Sequence, residues 1–175
     1  MTVMEAIRRR RSIRAYDSRP IPGEVLEQVL EALRMAPSAC NNQPWKFVVV
    51  TDANLRKQLV DASRGQKFVG EAPVVLVGVG FPAQAYQHMG GYGNSVDVDL
   101  AIALDHLMLA AAEQGLGTCW IGAFSEEDVK RVLNVPADAK VVALTPLGYP
   151  KDPRALEPKD KSRKPPAEVF VREQF

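Results

Sequence analysis

Arginine is concentrated near the start of the chain, where five arginines occupy the seven positions from Arg8 to Arg14 although the formal net charge is only +1. The guanidinium group of arginine forms bidentate hydrogen bonds with phosphate and carboxylate groups. A second cationic cluster, KDKSRKPP, occupies residues 159–166. Two distant cationic clusters on an otherwise balanced chain predict one anionic ligand that is held from two sides.

The arginines of this run are predicted to lie in two environments, some in solvent and some in contact with the ligand. Residues three or four apart share a helix face, so four consecutive arginines cannot all point in one direction. We expect Arg8 and Arg9 to be solvated at a helix C-terminus, where cations are mildly favourable. Ser12 and Arg14 follow the predicted helix end, and their hydroxyl and guanidinium groups are good partners for phosphate and carbonyl groups.

Two uncharged segments are candidate walls of the same site. The polar loop APSACNNQPW, residues 36–45, offers Ser, Asn and Gln side chains that suit a sugar-like chain or the edge of a heterocycle. The segment CWIGAF, residues 119–124, offers an apolar wall and a glycine that permits close approach to the backbone.

The side chains alone do not indicate a catalytic mechanism. His88 and His106 are the only histidines, and no His, Cys and carboxylate spacing indicates a metal site. No Ser-His-Asp or Cys-His arrangement is visible, which points to a cofactor as the source of any chemistry. The segment GVGFPA, residues 78–83, fits a relaxed dinucleotide-binding motif. However, no amphipathic helix follows Pro82, so a strand end that contains glycine is favoured.

Composition restricts the class of protein. The chain has 175 residues, of which 46% are hydrophobic and 25% charged, and this is typical of one globular domain. The near-neutral charge argues against a nucleic-acid binder, since such domains are usually basic overall. Cys40 and Cys119 form no CxxC pair, and the N-terminal segment lacks the apolar region of a signal peptide, so we expect a reduced cytoplasmic protein.

The hydrophobic pattern predicts the elements that must position these residues. Apolar residues at helical spacing predict helices at residues 3–10, 22–36, 53–63, 97–114 and 125–133. Apolar and β-branched runs predict strands at residues 47–50, 73–79, 119–124 and 140–150. The helix at 97–114 is apolar nearly all round, as expected of a central buried helix. We therefore expect an α+β fold in which helices cover a sheet.

The composition changes after Tyr149, where the chain becomes rich in proline, lysine, arginine and aspartate. Because proline disrupts helix interiors and central strands, this segment is predicted to be neither. We expect an extended arm that hangs free or lies along another surface, such as a partner subunit.

Four stretches taken together resemble the FMN-dependent nitroreductase family, namely RRRSIRAY, APSACNNQPW, GLGTCWIGAF and KSRKPPAEVF. They occur in the family's order and approximate spacing and cover nearly the whole chain. The resemblance implies a single nitroreductase-like domain over residues 1–175, with a mostly antiparallel central sheet flanked by helices and an extended C-terminal arm at residues 150–175. It also implies an intertwined homodimer with tightly bound FMN at the interface.

The resemblance assigns the phosphate end of FMN to both cationic clusters. Arg10, Arg11 and Ser12 would hold the phosphate and the ribityl chain, while Lys161 and Arg163 look like the family's C-terminal phosphate contacts.

The resemblance also implies that Pro37, Ser38 and Asn41 come from the other subunit. Many family members have a second serine where this chain has Ala39, so one side-chain hydrogen bond to the cofactor is lost here.

At the flavin ring, the resemblance places Arg14 near the N1/O2 edge, and Gln66 resembles a ring-edge contact. Ile121, Gly122 and Ala123 would line one face, with the Gly122 backbone N–H near N5. A fixed arginine would stabilise the negative charge that reduction leaves at N1/O2.

The implied function is that of an FMN-dependent oxidoreductase that uses NADH or NADPH and reduces a nitroaromatic, a quinone or a similar small acceptor by ping-pong hydride transfer. No catalytic side chain is strictly required. The alternatives are a specialised reductase of the same family, for example a dehalogenase-type enzyme, a non-catalytic flavin-binding module and a nucleic-acid binder. The loop at residues 81–95, with Tyr86, His88 and Tyr92, is either a substrate lid or an ordinary exposed loop.

Overall fold

A computed structural model describes all 175 residues, and its centre is a four-stranded sheet. The strands are β1 (Trp45–Val50), β2 (Val74–Gly80), β3 (Gly117–Thr118) and β4 (Lys140–Gly148). Their order in the sheet is β1-β2-β4-β3, and every pair of neighbours is antiparallel. The predicted α+β fold with an antiparallel central sheet is therefore confirmed.

Strand β2 lies at the centre of the core. All seven of its residues are buried, as its continuous apolar sequence predicts, because β1 and β4 flank it and helices cover both faces. Its side chains alternate between two hydrophobic clusters. Val74 and Leu76 belong to the cluster on one face, and Val75 and Val77 belong to the cluster on the other.

Seven helices surround the sheet: α1 (Val3–Arg9), α2 (Gly23–Arg34), α3 (Ala53–Ala62), α4 (Phe68–Glu71), α5 (Val96–Glu113), α6 (Glu126–Leu133) and α7 (Pro166–Val169). Helices α2 and α5 pack together on the first face, and α3, α4 and α6 cover the second. The bounds of the five predicted helices agree with these to within two residues. No helix combines the length and the apolar character that crossing a membrane requires.

Helix α5 is not buried on all sides, so that expectation was wrong. Leu100, Leu104 and Leu107 are fully buried, but Val98 is 44% exposed and Ile102 is 36% exposed. No other element of the chain covers the apolar residues on this side of the helix. Helix α5 therefore has more apolar surface than a single chain buries.

Two other predicted elements differ in the structure. The strand expected at residues 119–124 is absent: β3 comprises only Gly117–Thr118, and Ile121 forms an isolated bridge with Leu144. The C-terminal arm contains a short 3₁₀ helix at Pro153–Leu156 and the single turn α7. Proline opens both turns, and the first turn of a helix tolerates it because an amide hydrogen is not needed there.

Candidate functional site

The segment that follows α1 is fixed against the short strand β3. The Ile13 N–H donates to the Thr118 carbonyl at 2.8 Å, and Ser12 forms a parallel bridge with Thr118. A Cβ atom on Gly117 would lie 2.6 Å from Ile13 Cγ1, so this close approach requires glycine. The result is that Ser12 and Arg14 are exposed beside the segment 119–124.

A buried tyrosine supports the same turn. Tyr16 is 5% exposed, and its hydroxyl donates to the Ile13 carbonyl at 2.9 Å. Burial raises the pKa of Tyr16 well above its usual range, so the hydroxyl remains a hydrogen-bond donor. The backbone of Tyr16 pairs with Pro150, which ties the start of the C-terminal arm to this turn.

Three predicted cofactor residues influence the pKa of the Cys119 thiol, which lies at the start of the segment 119–124. Burial raises the pKa of the Cys119 thiol, while the nearby charge of Arg14, a hydrogen bond with Ser12 and the charge of Arg10 act in the opposite direction. The thiol itself is buried and points away from solvent. Arg10, Ser12 and Arg14 therefore all act on the pKa of one thiol at this edge of the sheet.

The structure brings the two cationic clusters together. The Lys161 ammonium donates to the carbonyls of Ile7 and Arg10, each at 2.6 Å. A helix leaves its last carbonyls without partners, and a lysine near the C-terminus satisfies them favourably. The Arg11 guanidinium also donates to the Lys159 carbonyl at 3.1 Å. The C-terminal arm is thus docked on the end of α1.

An open cavity of about 990 Å³ lies where the clusters meet, and Arg8, Arg10, Lys161 and Arg163 are among the residues that line it. Burial lowers the pKa of Lys161, and the charges of Arg10, Arg163 and Arg11 lower it further. Desolvation and neighbouring cations both disfavour the charged form of an ammonium group.

The basic groups of the two cationic clusters form no ion pair within the chain. None of the six ion pairs uses an arginine from positions 8–14 or a basic residue from positions 159–164, although Asp105 and Asp160 also line the cavity. The Nε atoms of Arg9 and Arg11 are buried without a hydrogen-bond partner. Arg9 is half-buried, so the expectation that it is solvated was wrong, whereas Arg8 is exposed.

The segment 119–124 presents exposed residues, Trp120 among them, on a buried support. Ile121 is 2% exposed, and both its N–H and its carbonyl pair with Leu144, so it anchors the segment in the core. Gly122 and Ala123 are exposed. The Gln66 side-chain amide donates to the Ala123 carbonyl at 3.1 Å and to the Ser63 carbonyl at 2.9 Å. These bonds leave the side-chain oxygen of Gln66 available as an acceptor.

Nothing in the chain itself requires glycine at position 122. A Cβ atom built there would have Trp120 Nε1, at 3.6 Å, as its nearest neighbour, which is an ordinary contact distance. The backbone of Gly122 is also outside the left-handed region that favours glycine. The absence of a side chain therefore keeps open a surface that faces outward.

The loop at residues 36–45 has a strained backbone. Cys40, Asn41 and Gln43 have φ angles of 52°, 55° and 49°, which are costly for residues other than glycine. The Ser38 hydroxyl accepts the Gln43 N–H at 2.9 Å, and the Gln43 side chain donates to Asn41. The loop is thus held partly by its own side chains, and Pro37 and Asn41 are exposed.

One residue that contacts this loop was missed from the sequence. Asp99 of α5 is 2% exposed, and its carboxylate accepts the Ala39 N–H at 2.9 Å. A carboxylate within an otherwise apolar helix pattern is the signal that could have identified it. None of the residues from Pro37 to Asn41 lines the cationic cavity, so the structure does not bring these two predicted parts together within one chain.

The loop at residues 81–95 is an exposed excursion between β2 and α5. It contains one 3₁₀ turn at Pro82–Gln84, and the Tyr86 and His88 rings pack edge to face with centroids 6.0 Å apart. Tyr92 is 79% exposed.

The glycines of the GVGFPA segment lie in and at the end of β2, as the strand interpretation predicts. No group of three or more His, Cys, Asp and Glu side chains could hold a metal ion.

Comparisons with known proteins agree with this arrangement. A family model described as "Nitroreductase family" matches residues 7–80 and 64–149. A protein of Thermus thermophilus named NADH dehydrogenase is 34% identical over 173 residues, with 82% of this chain and 84% of that protein covered.

Two solved structures show the same fold. The crystal structure of a nitroreductase family protein from Clostridium novyi NT has a TM-score of 0.82 at 35% identity, covering 91% of this chain and 89% of the other. The structure of the NADPH:FMN oxidoreductase from Vibrio harveyi complexed with NAD⁺ has a TM-score of 0.85 at 27% identity, covering 99% of this chain and 77% of the other. The family match and the shared fold together establish that this chain belongs to the nitroreductase family.

Proposed function

We propose that this protein binds FMN and acts as an NAD(P)H-dependent oxidoreductase. The observation that carries the proposal is the cationic cavity, in which Arg10, Lys161 and Arg163 converge and none of them forms an ion pair with an acidic residue of the chain. Membership of the nitroreductase family and the similarity to a NADPH:FMN oxidoreductase support the same conclusion. Phosphate is the part of FMN that this cavity would hold.

The chemistry of the donor groups fits a phosphate monoester. The Arg10 guanidinium and the Lys161 ammonium line the cavity and provide charge-assisted hydrogen bonds. Arg11 and Ser12 do not line it; they follow Arg10 in the chain, and we propose that they contact the phosphate and the ribityl chain from there. Arg11 Nε is buried without a partner. An anion in the cavity would relieve the repulsion that lowers the pKa of Lys161. The residues present therefore match the group that they are proposed to hold.

The residues near the exposed segment 119–124 fit the flavin ring. Arg14 would place a positive charge beside the N1/O2 edge, and the open surface at Gly122 would let its backbone N–H approach N5. The free side-chain oxygen of Gln66 can accept a hydrogen bond from a ring N–H. The buried anchor at Ile121 would keep this face rigid.

When bound, FMN supplies the redox chemistry by accepting a hydride from NAD(P)H and passing the electrons to a small acceptor such as a nitroaromatic or a quinone. The chain contributes binding and electrostatics. A positive charge fixed at Arg14 favours an electron-rich ring edge over a neutral one, which is preorganised electrostatic stabilisation. No side chain of the site has to act as an acid or a base.

A homodimer would complete the site. The strained loop that includes Pro37, Ser38 and Asn41 does not line the cationic cavity of its own chain, so we propose that it contacts the FMN of a second copy. The exposed apolar side of α5 and the exposed Phe170 of the C-terminal arm, which is 73% exposed, provide surface for that copy. Both cysteines are free thiols, which fits the proposed cytoplasmic location.

Titration of the purified protein with FMN, followed by NADH or NADPH under anaerobic conditions, tests the proposal. We expect flavin fluorescence to change on binding and the bound flavin to be reduced. Arg163→Ala should weaken binding, whereas Arg154→Ala, which removes an exposed arginine paired with Asp152, should not. FMN binding without steady NAD(P)H turnover would favour a non-catalytic flavin module. Absence of both would refute the proposal.

A further inference from the structure

Asp99 is a buried carboxylate with an unusual set of partners. It is 2% exposed, and none of the ion pairs in the structure includes it. One carboxylate oxygen accepts the Ala39 N–H at 2.9 Å, and the other accepts the Ser95 hydroxyl at 2.7 Å. Burying a carboxylate is unfavourable unless hydrogen bonds compensate, so both partners matter to this group.

The bond to Ala39 is the single hydrogen bond that connects residues 38–43 to a residue outside the loop 36–45. The same residues carry the three strained φ angles, at Cys40, Asn41 and Gln43. A strained backbone persists only where surrounding structure holds it in place. Asp99 is therefore the external support of a loop that would otherwise relax.

The other oxygen of Asp99 reaches the loop at residues 81–95. The Ser95 hydroxyl, which donates to Asp99, also accepts the Tyr86 N–H at 3.2 Å, and the Ser95 N–H donates to the Tyr86 carbonyl at 2.9 Å. Ser95 is 2% exposed, whereas Tyr86 is 38% exposed. A continuous chain of hydrogen bonds thus runs from Ala39 through Asp99 and Ser95 to Tyr86.

We propose that Asp99 is a positioning residue that holds the strained loop 38–43 in its cofactor-binding form and couples it to the loop 81–95 through Ser95. This inference rests on the proposed function, since it assigns the held conformation to FMN binding. A displacement of Tyr86 on acceptor binding would reach Ala39 through two buried side chains. Asp99 itself would touch neither FMN nor the acceptor.

The first test compares Asp99→Asn with Asp97→Asn. Asp97 is in the same turn of α5 but is exposed and pairs with Lys140, so it is a matched control. We expect Asp99→Asn to weaken FMN binding about tenfold, because it replaces charge-assisted hydrogen bonds by neutral ones. The control should change the dissociation constant by less than about twofold. An equal dissociation constant for Asp99→Asn and the wild type would overturn the proposal.

The second test uses Ser95→Ala, which removes the hydroxyl that joins Asp99 to the Tyr86 N–H but leaves the Ala39 bond and the backbone bond from Ser95 to Tyr86. In amide hydrogen exchange without FMN, we expect Ser95→Ala to speed exchange in residues 81–95 alone, and Asp99→Asn to speed it in residues 38–43 as well. Exchange in residues 38–43 that stays as slow in Asp99→Asn as in the wild type would overturn the proposal. If Asp99→Asn does not fold, the wild type alone decides: fast exchange of its Ala39 amide would overturn the proposal.

These measurements separate the inference from the proposed function. A wild-type protein that does not bind FMN would refute the proposed function, but the exchange data would still decide whether Asp99 holds the two loops. A wild type that binds FMN, together with an Asp99→Asn variant that binds it equally well and exchanges no faster, would refute the inference alone.

Discussion

Replacing Gly122 by alanine should separate what the fold needs from what the ligand needs. The added methyl group would meet only Trp120, whose Nε1 lies 3.6 Å from the Cβ position, so the chain can accept it without rearrangement. Because the backbone conformation suits any residue, Gly→Ala should stabilise the folded state by about 0.4–1 kcal/mol through the unfolded chain. For a domain of this size, the expected rise in Tm is at most about 2–4 °C.

FMN binding should change in the opposite direction. A methyl group on the open face would hold the ring away from the Gly122 N–H and leave that hydrogen bond unmade. The penalty for such a group is about 1–3 kcal/mol, which corresponds to a dissociation constant roughly five- to 150-fold higher. A fluorescence titration with FMN measures the dissociation constant, and thermal unfolding of the FMN-free protein measures the stability.

Gly117→Ala is the matched control because its methyl group would enter the core. The Cβ position lies 2.6 Å from Ile13 Cγ1, so we expect this variant to lose about 1–3 kcal/mol of stability. Two results for Gly122→Ala would refute the reasoning. A clear loss of stability would show that the chain itself requires glycine there, and an unchanged FMN dissociation constant would show that no ligand approaches this surface.

Three further predictions concern charge and thiol chemistry. Arg14→Ala should leave a folded protein whose FMN binding or flavin reduction is weaker by about fivefold, since a charge near water contributes about 1 kcal/mol at contact distance. Arg163→Ala should lower FMN affinity and reduce its salt dependence, whereas Arg154→Ala should leave both unchanged, as titrations at two salt concentrations would reveal. At about pH 8, a thiol reagent should modify the exposed Cys40 quickly and Cys119 only after unfolding. Cys119 is buried, and its raised pKa keeps it protonated at pH values where an ordinary thiol begins to ionise. Unchanged behaviour of Arg14→Ala or Arg163→Ala, or equal thiol reactivity, would contradict the corresponding assignment.

Local sequence patterns were sufficient for much of the fold. Strand β2 is apolar at every position except its glycines and is buried throughout, and the helical spacing of apolar residues identified α2 to within two residues. Thr51 and Asp52 are both cap-forming residues just before the predicted helix, and in the structure Asp52 caps α3 by accepting the Leu55 N–H. These elements follow from short-range periodicity and capping, so they need no knowledge of tertiary contacts.

The remaining features depend on long-range contacts that periodicity does not encode. The segment 119–124 has the sequence pattern of a strand, but only Ile121 pairs with β4, through Leu144, and the bridge with Ser12 is made by Thr118 just before the segment. The role of Asp99 arises because a loop sixty positions earlier in the chain packs against α5. The docking of Lys161 on the end of α1 likewise joins residues 151 positions apart. The motifs identified the candidate site residues, whereas the residues that they contact are distant in the sequence and follow only from the folded structure.

The central claim is that the cationic cavity and the segment 119–124 hold an FMN that NAD(P)H reduces. The most direct measurement is an anaerobic titration of the FMN-reconstituted protein with NADH and, separately, NADPH while the flavin absorbance is recorded. We expect FMN to remain with the protein through gel filtration, its absorbance to bleach with one of the two nucleotides and the colour to return when a quinone is added. A protein that retains no FMN, or whose bound flavin stays oxidised with both nucleotides, would contradict the claim.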